Sequence, residues 1–409
     1  MLITEAQVKE ALRADKGAGA HLVSCSIESF TKDGDNYASV VKCINVDYEE
    51  GGSEKQVRYV VKYHPCLQMS SLNDLVTRKF EKEAKYYQEL VPLFNVELYS
   101  IGQEPLKVPA CFFNHFGEGE EVMILEDLRS GGFKMFGRMK SMDKAHTYLV
   151  LEELARFHAA STLAQAKSTQ ILKAKFKLHQ EDSDFFTNNA DDQYSNLSRG
   201  NIKIVADIAR KIGGYDKIVA WLEDFANKSS EVCNKQLGAI PPFDVVCHGD
   251  CWSNNMLFRY EEGVPAEVRL LDFQEWRRAS PAIDLNFFLY TSLDGPTRKD
   301  NLLSFLGTYY NAFKKVVEGA GTPVPFTVED LRQEYHKKNV FGFLMAMLIL
   351  PLVVNDERDT VILGKFSDDG MNKFLKLRRE RLIRQLRDNP PFLPRLLSVF
   401  DDMIQYGIV

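Results

Sequence analysis

The stretch Val245-Val246-Cys247-His248-Gly249-Asp250-Cys251-Trp252-Ser253-Asn254-Asn255-Met256-Leu257-Phe258 decides how the rest of the chain is read. An apolar run breaks at His248-Gly249-Asp250, and a second resumes after Asn255. Between them lie one carboxylate and two amides, in a loop short enough to hold them rigidly. Seventeen residues after Asn255, the run Leu270-Leu271-Asp272-Phe273-Gln274 ends another apolar segment in a second carboxylate. An Asp, an Asn five residues on and a later Asp at a strand end match what phosphoryl transfer needs: an acceptor for a hydroxyl proton and hard oxygens for magnesium.

Upstream, residues 21–62 read as strands. Val40, Lys42, Ile44 and Val46 alternate with their neighbours, Glu49-Glu50-Gly51-Gly52 reads as a turn, and Gln56 to Lys62 is the partner run. Lys62 shares a face with Val60, and an unpaired ammonium on a buried face is costly, so it needs an anion. On the next helix, Phe80, Ala84, Tyr87 and Val91 recur at helical spacing. Glu83 falls on that inward side, Glu81 points to solvent, and Pro92 is expected to close the segment. Two more strands follow at Phe112-Phe113 and Val122 to Leu125. The second runs into Glu126-Asp127-Leu128, and Arg129-Ser130-Gly131-Gly132 reads as a joint between lobes.

From about 141 the chain turns helical. His158 lies on an apolar face and reads as a satisfied core histidine. Asp284, in Ser280-Pro281-Ala282-Ile283-Asp284-Leu285, reads locally as a helix cap. The polar, acidic residues 181–200 read as a solvated loop. After 294 the pattern is mostly helical, with proline-rich breaks at 322–325 and 390–394.

The whole chain sets limits on these readings. Its 409 residues suggest two or three domains, or one large two-lobed unit. A formal charge of −6 argues against a broad nucleic-acid surface. Met1-Leu2-Ile3 passes at once into Thr4-Glu5-Ala6-Gln7, which reads as a helix capping box and not as a signal peptide. The apolar run Val340 to Val354, interrupted by Gly342 and Pro351, reads as a buried helix and not a membrane span. Seven dispersed cysteines without a Cys-x-x-Cys pair fit free thiols in a reducing cytosol, so a cytoplasmic location is expected. Cys247 and Cys251 flank the central loop and read as buried thiols.

Taken in order, several motifs resemble the ecdysteroid kinase-like (CHK kinase-like) family, a branch of the choline and aminoglycoside kinase group. They are Gly34 to Ser39, Val60-Val61-Lys62, Phe80-x-x-Glu83-x-x-x-Tyr87, Leu125 to Leu128, Leu154 to Ser161, His248-Gly249-Asp250-x-Trp252-x-Asn254-Asn255, Asp272-Phe273-Gln274 and Ser280 to Leu285. The resemblance implies an α+β, bilobal protein-kinase-like fold with a small antiparallel-sheet N-lobe and a large, mainly helical C-lobe. The expected division is an N-terminal helix in 1–20, an N-lobe in 21–130 and a C-lobe in 131–409.

It further implies an ATP- and Mg2+-dependent kinase acting on a small-molecule hydroxyl, with a steroid such as an ecdysteroid as the family's type of acceptor. Asp250 is then the catalytic base, and Asn255 and Asp272 are the metal ligands. Lys62 binds the ATP phosphates while paired with Glu83. The backbone from Glu126 to Leu128 holds adenine, and the loop ending at Ser39 covers the phosphates. Asp284 braces the catalytic loop from below. Gln274 stands where protein kinases carry glycine, and only seven residues separate it from Ala282, which argues against an activation segment and a peptide substrate. The alternatives are a choline- or aminoglycoside-type kinase, a silent binding protein on the same fold, and a metal-dependent hydrolase. The sequence leaves the acceptor and the oligomeric state open.

Overall fold

The computed structural model describes residues 3–29, 40–64, 70–117, 121–137, 139–167, 193–353 and 370–409. The segment through Ser39 expected to cover the phosphates, residues 181–192 of the expected solvated loop, Cys66 and Val354 lie outside that set, while residues 193–200 of that expected loop instead open the helix Gln193–Ile212.

The chain opens with α1 (Glu5–Lys16), whose first turn carries the expected capping box between Thr4 and Gln7. Strands β1 (His21–Ser29), β2 (Val40–Glu50), β3 (Ser53–Tyr63), β4 (Cys111–His115) and β5 (Val122–Glu126) form one antiparallel sheet in the order β1-β2-β3-β5-β4. Gly51 and Gly52 turn the β2–β3 hairpin with φ of 61° and 77°, the left-handed values that a tight two-residue turn demands. Period two then sorts β3. Tyr59 and Val61 are fully buried against Val8, Ala11 and Leu12 of α1, while Val60 and Lys62 face the other way.

Helix α2 (Ser70–Lys85) passes through a π-helical turn at Tyr86–Leu90 into α3 (Val91–Ser100). Pro92 therefore does not close the segment as expected. It sits in the first turn of α3, where a missing N–H leaves no hydrogen bond unmade. The joint at Leu128–Gly131 is a 3-10 turn capped by Asp127, which accepts from the Arg129 main chain at 3.1 Å and from its guanidinium at 2.9 and 2.8 Å.

The remainder is mainly helical. Helix α4 (Lys144–Lys167) and the helix Ala282–Ser292 run through its centre, and all eleven residues of the latter are buried. A helix buried on every face belongs inside a large core, and its polar residues Asp284, Asn286 and Thr291 are hydrogen-bonded there. The helix Asn339–Val353 packs on it, so Gly342 is a contact point and not a break: a Cβ there would lie 2.8 Å from Asn286 and Tyr290. Pro351 likewise lies inside that helix. Among the described residues no helix is long and apolar enough to cross a membrane. Short strands carry the site: β7 (Val245–Cys247) pairs with β10 (Arg277–Ala279), and β8 (Met256–Glu261) lies between β6 (Lys134–Met135) and β9 (Val264–Leu270).

Candidate active site

Strand pairing explains why distant residues meet. In the β8–β9 hairpin Met256 lies opposite Leu270, and the Leu271 N–H donates to the Asn255 carbonyl at 2.9 Å. Asn255 and Asp272 thus leave the same end of one hairpin. Asp272 takes up a left-handed conformation (φ 64°, ψ 63°), unusual outside glycine and typical of strained functional turns.

The loop before β8 is held from below by one buried carboxylate. Asp284 accepts the His248 N–H at 2.6 Å, the Gly249 N–H at 2.9 Å and His158 Nε2–H at 3.1 Å, and its residue is fully buried. It does not cap its own helix, because the loop's N–H groups occupy it. Burial works against its charge, yet the His158 bond and the loop amides hold the carboxyl below its ordinary value. His158 is the satisfied core histidine expected, with Nδ1 at 2.7 Å from the Tyr309 hydroxyl. His158, Cys247 and Asp284 lie close enough together to suggest a metal site. Both ring nitrogens and both carboxylate oxygens already have hydrogen-bond partners, and Cys247 Sγ faces the Ser280 carbonyl, so the cluster is a brace. Burial pushes the Cys247 and Cys251 thiols well above their ordinary value.

His248 links the two halves of the site. Its Nε2 donates to the Leu271 carbonyl at 2.9 Å, and its Nδ1 accepts the Asp250 N–H at 3.3 Å. Its ring lies 4.4 Å from that of Phe273, which also stacks on Tyr86 at 3.8 Å and 8°. Gly249 has φ 82°, and a Cβ there would come within 2.1 Å of the Glu275 carbonyl oxygen. Gly249→Ala is therefore expected to force the loop off the 273–275 turn and to lower stability by about 3 kcal/mol or more. An unchanged urea midpoint for that variant would contradict this packing.

Above the brace, Asn255 spends its Nδ2 on Asp250, bonding the main-chain oxygen at 2.9 Å and Oδ2 at 2.8 Å. The Lys62 ammonium lies 2.6 Å from Glu83 Oε2 and 2.8 Å from Asp272 Oδ1. Burial alone would lower this ammonium, but the Asp272 and Glu83 charges outweigh it and keep Lys62 protonated. Burial raises the Glu83 carboxyl to about 7 against the pull of Lys62, which has a second carboxylate to serve. Glu81 pairs at the surface with Lys85.

The register of β3 on β5 sets Lys62 opposite Met123 and Tyr59 opposite Glu126. Three residues of strand separate the hinge from the lysine, about 10 Å at about 3.4 Å per residue. The Glu126 N–H is spent on the Ala110 carbonyl at 2.9 Å, and its side chain accepts the Ala110 N–H at 3.2 Å. Leu128 is buried.

Of the sequence-predicted residues, Lys62, Glu83 and Asp272 converge directly, Asp250 and Asn255 converge beside them, and Glu126 and Leu128 line the strand end. Trp252 Nε1, Ser253 Oγ and Asn254 Oδ1, consecutive in the loop before β8, are buried without a hydrogen-bond partner among the described residues.

A profile of the ecdysteroid kinase-like family matches residues 33–322. The chain belongs to the ecdysteroid kinase-like family. It is also 30% identical, over 125 residues, to an uncharacterized kinase-like protein of Caenorhabditis elegans; that match spans 31% of this chain and 30% of the relative. Solved structures similar to it include an ethanolamine kinase of Plasmodium vivax (13% identity, TM-score 0.37, covering 91% of this chain and 84% of that one). Another is an aminoglycoside phosphotransferase of Streptomyces rimosus (13%, TM-score 0.34, covering 84% and 99%). The fold of this family member is the α+β, bilobal protein-kinase-like one, with an antiparallel N-terminal sheet and a mainly helical remainder.

Proposed function

We propose that this ecdysteroid kinase-like protein is an ATP- and Mg2+-dependent kinase that transfers the γ-phosphoryl group to a hydroxyl of a small molecule. The family supports a small-molecule phosphotransferase. The observation that carries the finer reading is the meeting of Lys62 with Glu83 and Asp272 beside the Asp250–Asn255 pair. The division into an N-lobe of 21–130, preceded by a helix in 1–20, and a C-lobe of 131–409 belongs to the same proposal.

The donor set fits a hard divalent cation: one carboxylate and one amide oxygen leave the same hairpin end. Asn255 and Asp272 would hold magnesium, which when bound neutralises phosphate charge during transfer. The chain's own residues do the rest. Lys62, fixed by Glu83, orients phosphate oxygens as a point charge. Asp250 accepts a hydrogen bond from the acceptor hydroxyl and takes its proton as the new P–O bond forms. Its carboxyl is pushed up to about 7, by burial first and then by Asp272 and Glu275, which suits a base working near neutral pH. The unpartnered polar atoms at Trp252, Ser253 and Asn254 supply further donors and acceptors beside it. The Glu126 carbonyl and Leu128 N–H hold adenine.

The acceptor class we propose is a hydroxylated steroid or a related metabolite, as the family name suggests. Titration of the whole chain with ADP, with and without Mg2+, tests the nucleotide half. Asp272→Asn should lose the Mg2+-dependent part of the affinity, about tenfold or more. A wild-type chain that binds ADP equally well in chelator overturns the metal assignment. A screen of hydroxylated steroids, amines and glycosides with mass detection tests the acceptor: a phosphorylated product supports transfer, and phosphate release alone favours hydrolysis.

A further inference from the structure

We infer that Lys79 and Glu275 form a positioning clamp that seats helix α2, and with it Glu83 and Lys62, on the segment following Asp272, so that the nucleotide site is assembled without an activation segment.

Helix α2 carries Glu83, so wherever α2 sits, the Lys62 ion pair follows. Contacts with the segment after Asp272 come from Lys79, Lys82 and Glu83 of α2 and from Tyr86 and Tyr87 of the π-helical turn that follows, close to the spacing of neighbours on one helical face. Lys79 Nζ lies 2.5 Å from Glu275 Oε1, and Glu275 Oε2 lies 3.1 Å from Arg277 Nη2. One turn on, the Trp276 indole N–H donates to the Lys82 carbonyl at 2.9 Å, with the Lys82 ammonium 5.6 Å from its ring. Past Glu83, Tyr86 stacks on Phe273, and Tyr87 meets that ring edge-on at 6.2 Å.

The other side of the clamp is the catalytic loop. The Glu275 carbonyl presses on Gly249 so closely that no side chain fits between them, and Arg277 pairs with Cys247 across β10 and β7. Glu275 therefore touches α2 through its carboxylate and the Asp250 loop through its backbone. The pair is sheltered from water, with side-chain exposures of 17% for Lys79 and 9% for Glu275, so it resists screening by salt. Protein kinases control their Lys–Glu pair through helix position and a phosphorylated activation loop. Here seven residues lie between Gln274 and the helix at Ala282, too few for such a loop, and a genetically encoded carboxylate stands against the helix lysine.

Two measurements on wild type, Lys79→Met, Lys79→Arg and Glu275→Gln test the clamp: hydrogen–deuterium exchange over residues 76–90, and titration with ADP and Mg2+. The nucleotide arm rests on the proposed function, and the exchange arm does not. For Lys79→Met, exchange in α2 should rise about tenfold and ADP affinity fall about tenfold. Its thermal midpoint should move little, because Glu275 keeps Arg277. Glu275→Gln should match it in both readouts, and Lys79→Arg should restore both. Wild-type exchange in Lys79→Met and Glu275→Gln, or a Lys79→Arg chain as impaired as Lys79→Met, overturns the clamp. A wild-type chain that fails to bind ADP with Mg2+ overturns the proposed function instead and leaves the exchange result to decide the clamp.

Discussion

Asp250→Asn is expected to cut phosphoryl transfer by about 10³-fold while leaving the chain folded. The substitution keeps an oxygen where Asp250 Oδ2 now accepts Asn255 Nδ2–H at 2.8 Å, so the loop retains its shape. It removes the carboxylate that would take the hydroxyl proton. The same change should raise heat stability in metal-free buffer, and the sign follows from the carboxyl itself. Burial, then Asp272 and Glu275, raise it to about 7 in the folded chain, against about 3.9 in an unfolded one. Stability owed to the protonated form is complete below the unfolded value and is lost as pH rises through about 7. The wild type then bears the cost of a partly desolvated charge held among other carboxylates, which the asparagine variant does not. At pH 8 in chelator the variant should therefore melt several degrees higher, and the gap should shrink as pH falls from about 7 toward about 4. Turnover within tenfold of wild type would remove Asp250 from its role. Equal melting at pH 8 would contradict its partial desolvation among acids.

How much of this was legible depends on how local each signal is. Glu83 and Lys62 could be aimed at one another because period 3.6 and period two each fix a direction. Their ammonium–carboxylate distance of 2.6 Å is the result. The meeting of Asp250, Asn255 and Asp272 is legible because each lies at a turn between apolar runs. Local rules misled where tertiary packing overrode them. Pro92 looked like a terminator, but a π-helical turn ahead of it moved it into the first turn of α3. Asp284 looked like a cap, but donors from His248 and Gly249 claimed its oxygens. The second anion on Lys62, the bridging role of His248 and the Lys79–Glu275 pair carry no periodic signature. Each joins residues far apart in sequence, whose meeting depends on strand pairing such as that of β7 with β10.

Asp284→Ala should be the most damaging single change to the fold around the site. Three N–H donors converge on this carboxylate: His248 N, Gly249 N and His158 Nε2. With the residue fully buried, no water stands ready to replace it. Each stranded donor costs about 1–3 kcal/mol, so a loss of about 4 kcal/mol is expected, a large share of a domain's stability. Asp284→Asn is only partly conservative, because its NH2 must face one of the loop's own N–H groups. The pH dependence runs opposite to that of Asp250. The folded Asp284 carboxyl lies below its ordinary value, held there by His158 and the loop amides despite burial. Its contribution is present above the unfolded value of about 3.9 and is lost as pH falls further, toward the folded value. Urea unfolding of wild type and Asp284→Asn should thus differ most near neutrality and converge in acid. An Asp284→Ala chain with a wild-type midpoint would mean that the loop finds other acceptors. The convergence of three donors on one buried carboxylate argues that it does not, and that loss of the brace would release Asp250 and Asn255 together.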